Sequence, residues 1–394
     1  MEAEIRPATE ADYEQIAAIR REAFRRPSHP ERWNNGIGRV FAAGSEVQGI
    51  VQIERLGQYF GEHCVRSCAI TSVAVAVPYR NKGIARRLLG SILRDEYANE
   101  TALAPLFPSS PAFYRGLGFD LAGTRNIYSA PAVNLRINSV DDQFVEVWSE
   151  WLDELLPEVS ACYQRFASTS SGLIDRSPAW WAEYVTDRTS GRDYYCHRVY
   201  NGDDLVAYAV YYHEPRLGRT PYEFVLRVRD LAWTSGEALQ RLIAFLSSQW
   251  PYQLSISWPG PAVDPVSSLF TSSLVSIESS YPWMARMINV EAAFRQRGYP
   301  QCLKTSIRFT VVDPLIADNC RSLLLSISDG VAEIANSRFH GFEIDINTLA
   351  ALYTGWLQPQ DAARMGLLRE ASAADVQALA LVLSGPSPWI PEFF

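Results

Sequence analysis

Residues 72–93 read SVAVAVPYRNKGIARRLLGSIL. An apolar run stops at Val77-Pro78, a basic turn follows around one glycine, and apolar residues then return at helical spacing. A buried strand feeding an amphipathic helix through a tight turn is a building unit of mixed α/β sheets. Ile84, Leu88 and Ile92, with Leu89 or Leu93, give that helix one apolar face. Core packing alone does not ask for Arg80, Asn81, Lys82 and Gly83 between strand and helix. An anionic ligand does. A helix start leaves backbone N–H groups without partners and carries the positive end of the dipole. Gly83 lets backbone and ligand approach closely. Arg80 and Lys82 add charge, and Arg86 and Arg87 follow one turn later, so the stretch reads as a pyrophosphate cradle. The bland alternative is a basic, solvated helix start.

The flanking residues complete a mixed α/β unit. AEIRPA (3–8) is a short strand. Thr9 caps a helix, with Asp12 in the capping-box position, and that helix is expected to bury Ile16, Ile19 and Phe24. RVFAA and VQGIVQIERL flank the turn at Gly44-Ser45-Glu46 as a hairpin. CAITSVAVAV and TALAPLF are apolar strands, SPAFYRGLGF is a short helix, and LAGTRNIYS is a closing strand.

A chain of 394 residues has room for two to three domains, at roughly 100–200 residues each. With 47% hydrophobic and 20% charged residues, it has the composition of a soluble globular protein. A net charge of −8 argues against a nucleic-acid partner and permits cationic ones such as amines. No run reaches the roughly 18 apolar residues that a bilayer span requires. The N-terminal residues lack the pattern of a signal peptide. The six scattered cysteines read as reduced thiols of a cytoplasmic protein. His63, Cys64 and Cys68 lack a second ligand pair at zinc spacing, so no metal is expected.

The spacing Arg80-x-x-Gly83-x-Ala85 resembles the R/Q-x-x-G-x-G/A motif of the GNAT acetyltransferase superfamily. Val73 and Val75 before it, and FYRGLGF some 30 residues later, stand in the order that superfamily uses. The resemblance implies acetyl-CoA as co-substrate. The backbone of Val73, Ala74 and Val75 would pair with the pantetheine arm along a splayed strand. The loop from Asn81 through Lys82, Gly83, Ile84 and Ala85 to Arg86 would hold the pyrophosphate, with Arg80 supplying charge. Ser109 and Ser110 fall where related enzymes touch the pantetheine or thioester end, and an ordinary helix start explains them equally well. The resemblance makes Tyr114 the general acid for the departing thiolate. The alternative is an aromatic packing the short helix, a job that Phe113 suits better.

Downstream, DDLVAYAVYYH follows the turn Asn201-Gly202. YEFVLRVRDLAWTSGEALQRLIAFL then repeats strand, turn and amphipathic helix, with Leu239, Leu242, Ile243 and Leu246 on its apolar face. Its turn lacks the cations of the first, so this looks like a degenerate second copy without a coenzyme site. SPAWWAEYV reads as an aromatic helix, either pocket wall or core. A third unit opens near WMARMINVEAAFRQRGYP, with a helix over 290–297 stopped by Gly298 and Pro300. TSIRFTVVD and SLLLSISDG follow as strands around Asp313-Pro314. This order, with its W-x-x-R-x-x-N-V-E-A-A entry, resembles the enhanced intracellular survival (Eis) acetyltransferases, which end in a sterol-carrier-protein-like domain. The fold class expected is therefore α/β (α+β): two tandem GNAT-like mixed-sheet domains over 1–130 and 131–285, then a sterol-carrier-protein-like α/β domain over 286–394.

The chain closes on WIPEFF. Two terminal phenylalanines favour burial over water, since burial stabilises by about 1.5–3 kcal/mol each. On the residues alone this is a docked apolar tail. The Eis resemblance implies that the α-carboxylate of Phe394 enters the first domain's site as general base. The reading is then an N-acetyltransferase that acts on a small-molecule amine, aminoglycoside-like, or on a protein lysine. By the same resemblance it forms a homo-oligomer, a hexamer. The alternatives are an acetyl-CoA-binding module without turnover and a lipid carrier.

Overall fold

The computed structural model describes residues 3–25, 37–132, 143–186, 190–216, 220–249, 252–270 and 274–394. The first part of the chain gives β1 (Ala3–Pro7), α1 (Tyr13–Phe24), β2 (Ile37–Ala43), β3 (Glu46–Phe60), β4 (His63–Val75), α2 (Ile84–Ala98), β5 (Leu103–Leu106), α3 (Pro111–Arg115) and β6 (Asp120–Pro131). The middle part gives β7 (Phe144–Glu150), α4 (Leu156–Ser168), β8 (Ile174–Asp175), α5 (Pro178–Trp180), β9 (Tyr195–Asn201), β10 (Asp204–Pro215), β11 (Phe224–Trp233), α6 (Gly236–Ser247), β12 (Gln253–Gly260) and β13 (Ser276–Met287). The last part gives α7 (Val290–Gln296), β14 (Thr305–Val312), β15 (Ser322–Ser328), β16 (Val331–Asn336), β17 (Phe342–Asp345), α8 (Ile346–Thr354), α9 (Pro359–Arg364), β18 (Leu368–Arg369) and α10 (Ala373–Val382). The fold class is the expected mixed α/β.

Two sheets result. The larger runs β1-β2-β3-β4-β5-β13-β6-β12-β11-β10-β9-β7, with β8 added to β3. The smaller runs β16-β15-β14-β17-β18. Alternating residues of β3 serve opposite cores, as the period of 2 requires. Ile50 packs with Ile16 and Ile19 of α1, whereas Val51 and Ile53 pack with Ile84, Leu88 and Ile92 of α2. Phe24 departs from its expected burial: it is 42% exposed. It sits in the last turn of α1, past the sheet, where it borders a cavity. The aromatic helix SPAWWAEYV also differs. It makes one α turn and then a π turn over Trp181–Val185.

The halves of the large sheet interlock. β6, from the first part of the chain, lies between β12 and β13, and β13 in turn lies between β5 and β6. Trp283–Met287, expected at the head of the third unit, are thus strand residues of the large sheet. From β13 the Arg286 side chain, fully buried, bonds Asp313 at 2.6 and 2.8 Å and the carbonyl of Leu117 at 2.5 Å. Asp313 also accepts from the Asn319 amide and the backbone N–H of Leu315 and Ile316. Gly118 is a consequence of this contact. It adopts φ +87°, and a Cβ there would lie 1.6 Å from the Arg286 guanidinium.

Arg286 is therefore the bolt between the large sheet and the third unit. Arg286→Met leaves a buried carboxylate without its cation. The expected loss of stability is about 3–5 kcal/mol, read as a shift of the denaturant midpoint. A shift worth under about 1 kcal/mol, the scale of an exposed pair, would show that the pair is not a structural bolt.

Candidate functional site

The first wall of the site comes from a strand pair that parts. β4 and β5 run parallel and meet in register only at Ser67 and Leu103. Beyond that point β4 continues to Val75 with its β5-facing edge unpaired. Of the three residues expected along the coenzyme arm, Val73 lines the cavity, Ala74 is buried, and the Val75 carbonyl accepts from Arg80. A β-bulge falls just before: the pairing steps from Gln52–Ser72 to Ile53–Ile70, which leaves Thr71 without a partner across the ladder. The bulge explains why Ile70, Thr71, Ser72 and Val73 all reach one cavity, which a regular strand could not arrange. The Thr71 hydroxyl is buried there without a protein hydrogen-bond partner.

At the end of β4 comes the basic turn. Asn81 (φ +63°) and Gly83 (φ +75°) are both left-handed, and Gly83 is the N-cap of α2 with no side-chain cap bond. A Cβ at Gly83 would meet nothing within 4 Å, so the space over the turn is open. The α2 N-terminus, with Ile84, Ala85 and Arg86 in its first turn, faces that space. This geometry fits an anionic group bound by backbone N–H donors. The cations are arranged less simply. Arg80 donates to the Val75 carbonyl at 3.1 Å and pairs with Glu22 at 2.5 Å. Lys82 lies over the Tyr79 ring, 5.0 Å from its centroid. Arg86 donates to the Gly116 carbonyl at 2.9 Å and so braces α3. In the second copy of this turn, the Ser235 side chain caps α6 by accepting from Ala238 N–H at 3.2 Å. That helix start is satisfied by its own chain.

The cavity beside the cleft measures about 550 Å³. β4 and the Ser109–Tyr114 segment form one side, and Tyr281 and Pro282 of β13 another. Glu183 and Tyr184 of the π turn close a third, and Phe393 and Phe394 a fourth. Ser109 reaches the cavity; Ser110 is the N-cap of α3 and does not line it. Tyr114 is 6% exposed and packs edge-on against Phe119, whereas Phe113 is the more open of the two. The assignment of packing to Phe113 is thus reversed: Tyr114 is buried, yet it still lines the cavity. Burial raises the Tyr114 phenol above its ordinary pKa, and a hydrogen bond with Ser109 opposes the shift. The phenol holds its proton at neutral pH.

The tail arrives from the third unit. Trp389 N–H bonds the Ser171 carbonyl at 3.1 Å, and Ile390 N–H the Thr124 carbonyl at 3.4 Å. Phe393 stacks on Phe107 at 4.5 Å between ring centroids, and the Phe394 ring meets Trp180 at 5.4 Å and Phe107 at 5.3 Å. Val73, Ser109, Tyr114 and Phe394 are brought to one cavity, whereas Arg80–Arg86 lie outside it at the turn.

Sequence reading missed Glu54, Glu183 and Arg20 on the cavity wall. Burial, then the negative charge of Glu183, lifts the Glu54 carboxyl to about 7, and Arg20 partly opposes this. Glu54 stands in β3 between Ile53 and Arg55, and no local signal in the sequence set it apart from an exposed strand carboxylate. Glu183 is 129 residues further on, so nothing local linked them.

Comparison with known proteins agrees with the fold. Acetyltransferase (GNAT) domain models match residues 4–122 and 172–287, and a sterol carrier protein domain model matches residues 290–391. An uncharacterized N-acetyltransferase of Streptomyces avermitilis is 25% identical over 365 residues, covering 85% of this chain and 82% of the other. The crystal structure of a GCN5-related N-acetyltransferase from Anabaena variabilis has a TM-score of 0.90 at 25% identity, with 100% of both chains covered. Eis1 from Mycobacterium abscessus shares the fold, with a TM-score of 0.83 at 22% identity over 100% of both chains.

Glu54 makes a prediction about pH. Its proton is held more tightly in the native state than in the unfolded chain, where a glutamate titrates near ~4.3. Its contribution to stability is therefore full below that value and is lost as pH rises through about 7. Glu54→Gln should gain Tm relative to the parent between pH 5 and pH 8. A Tm difference that does not change with pH would mean that Glu54 titrates as an ordinary surface carboxyl.

Proposed function

We propose that this GNAT-type acetyltransferase uses acetyl-CoA to acetylate a primary amine, with Tyr114 as general acid and the Phe394 α-carboxylate as general base. The observation that carries the reading is convergence. Val73 on the splayed edge of β4, Tyr114 and the Phe394 end of the tail border one cavity, though they come from opposite ends of the chain. The left-handed turn at Asn81–Gly83 and the uncapped α2 start support the diphosphate assignment. Tandem GNAT domains with a sterol carrier domain, and the fold shared with an Eis protein, support an Eis-like enzyme.

Bound acetyl-CoA supplies an acyl group activated as a thioester. The chain's own residues do the rest. The acceptor enters as an ammonium ion, and the carboxylates of Glu54, Glu183 and Phe394 favour that charge in the cavity. The Phe394 carboxylate, ionised at neutral pH with a reference pKa near ~3.5, takes the proton from the amine nitrogen directly or through one water. The β4 edge near Val73 presents backbone N–H to the developing oxyanion. Tyr114 Oη delivers its proton to the departing sulfur. Acceptors of this chemistry are polycationic small molecules, aminoglycoside-like, or a lysine side chain. Assembly as a homo-oligomer, a hexamer, belongs to the same reading through the Eis resemblance, and a cytoplasmic location through the scattered cysteines read as reduced thiols.

The test begins with thiol release from acetyl-CoA across a panel of amines. Residues appended after Phe394 turn its carboxylate into an amide, and kcat should fall at least about tenfold; a tag at Met1 should do little. A folded, C-terminally extended protein that works at the parental rate would remove the carboxylate as base. Tyr114→Phe keeps the ring and deletes the donor. It should lower kcat by about 10²–10⁴-fold with little change in coenzyme affinity. Parental kcat in this variant would leave the tyrosine a packing role only.

A further inference from the structure

We infer that Arg176 is a positioning residue for the tail: through Glu392, and with Arg125 beside it, it sets where Phe394 stands in the cavity. The inference rests on the reading of the Phe394 carboxylate as base. Arg176 is 5% exposed and bonds two carboxylates at once. Its guanidinium forks onto Asp230 of β11 with two bonds of 2.8 Å, and its Nε donates to Glu392 Oε1 at 2.5 Å. The plane lies over the rings of Tyr163, at 3.7 Å, and Trp181, at 4.6 Å. Tyr208 Oη donates to Asp230 from a further side at 2.5 Å.

One guanidinium cannot neutralise two buried carboxylates. The second cation is Arg125 on β6, whose Nε donates to the Pro391 carbonyl at 2.7 Å and whose charge is favoured by Glu392. Burial first, and then Arg229, lower the Arg125 pKa to about 10, so it still carries its charge at neutral pH. Arg125 thus holds the Pro391 carbonyl, and Arg176, itself fixed by Asp230, holds the Glu392 carboxylate. A bond with this geometry restricts a flexible tail strongly, because every direction is fixed by a planar donor. The next two residues make ring contacts with Phe107, Trp180, Tyr184 and Tyr281. The anchor lies in the second, self-capped GNAT unit. That unit's part in the reaction is to hold the far end of the chain against the first unit's site.

The test uses protein whose intact mass ends at Phe394, with Glu392→Ala and Glu392→Gln. Glu392→Ala leaves Arg176 paired with Asp230 and Arg125 bonded to the Pro391 carbonyl, but it removes the carboxylate that favours the Arg125 charge, so Tm is read beside the kinetics. A carboxypeptidase that prefers aromatic termini reports tail release by mass. Phe394 should be lost about tenfold or more faster from Glu392→Ala than from the parent, the scale of a charge-assisted hydrogen bond. Its kcat should fall about 10²-fold, as for a misplaced group, with KM for acetyl-CoA unchanged. Glu392→Gln keeps an acceptor for Arg176 Nε and should recover most of both. Equal protection of Phe394 in parent and Glu392→Ala would overturn the inference. So would a kcat loss that tracks a fall in Tm and a rise in KM, which marks a general structural role. A freed tail with parental kcat supports the anchor and instead removes the carboxylate as base.

Discussion

The interlocking of β6 and β13 is the constraint on which the rest of the molecule depends. An interior strand needs both edges hydrogen-bonded, because buried N–H and C=O groups without partners are costly. β6 meets that need with β12 and β13, both from beyond residue 250. β13 meets it with β5 and β6. Neither half can complete its sheet without a strand of the other. Three parts of the site then follow: Tyr281 and Pro282 of β13 join the cavity wall, Thr124 of β6 receives the tail, and Arg286 reaches across to Asp313.

Charge burial separates structure from chemistry. Asp230, Asp313 and Glu392 are nearly or wholly inaccessible, and each is held by an arginine within 2.5–2.8 Å. Such pairs fix geometry; their net worth is small, but removal of one partner is expensive. Glu54 is different. It faces the cavity with a second carboxylate nearby, and burial raises its proton affinity. A group kept near its titration point at the wall of a cavity is characteristic of a functional site. A bound ammonium group would supply the missing positive charge.

The two strand–turn–helix copies diverge through their helix starts. Gly83 leaves the α2 donors open, whereas Ser235 closes those of α6 with its own hydroxyl. Beyond Arg227, the last residue of β11 paired with β12, the second copy carries Asp230 and its arginine. In the first copy the matching cleft stays open beside Val73. The same backbone plan thus yields an open cleft in one copy and an anchor in the other.

The sequence by itself determined whatever rests on neighbours along the chain. Period-2 and helical patterns placed the strands of the first unit, α2 and α6. The Thr9–Asp12 capping box and the Asn81–Gly83 turn were readable because helix starts are local. The motif order around Gly83 and FYRGLGF carried the acetyltransferase reading. Tertiary structure alone decided the rest. Phe24 ended at the cavity rather than in the core, and Tyr114 proved more buried than Phe113, because the neighbours of each are remote in sequence. Glu54 met Glu183, and Arg176 met Glu392, across 129 and 216 residues. The bulge at Thr71 and the exchange of β6 and β13 depend on hydrogen-bond pairing between distant strands. A single-residue periodicity does not encode which distant edge a strand will find, so these features appear only when the whole sheet is assembled.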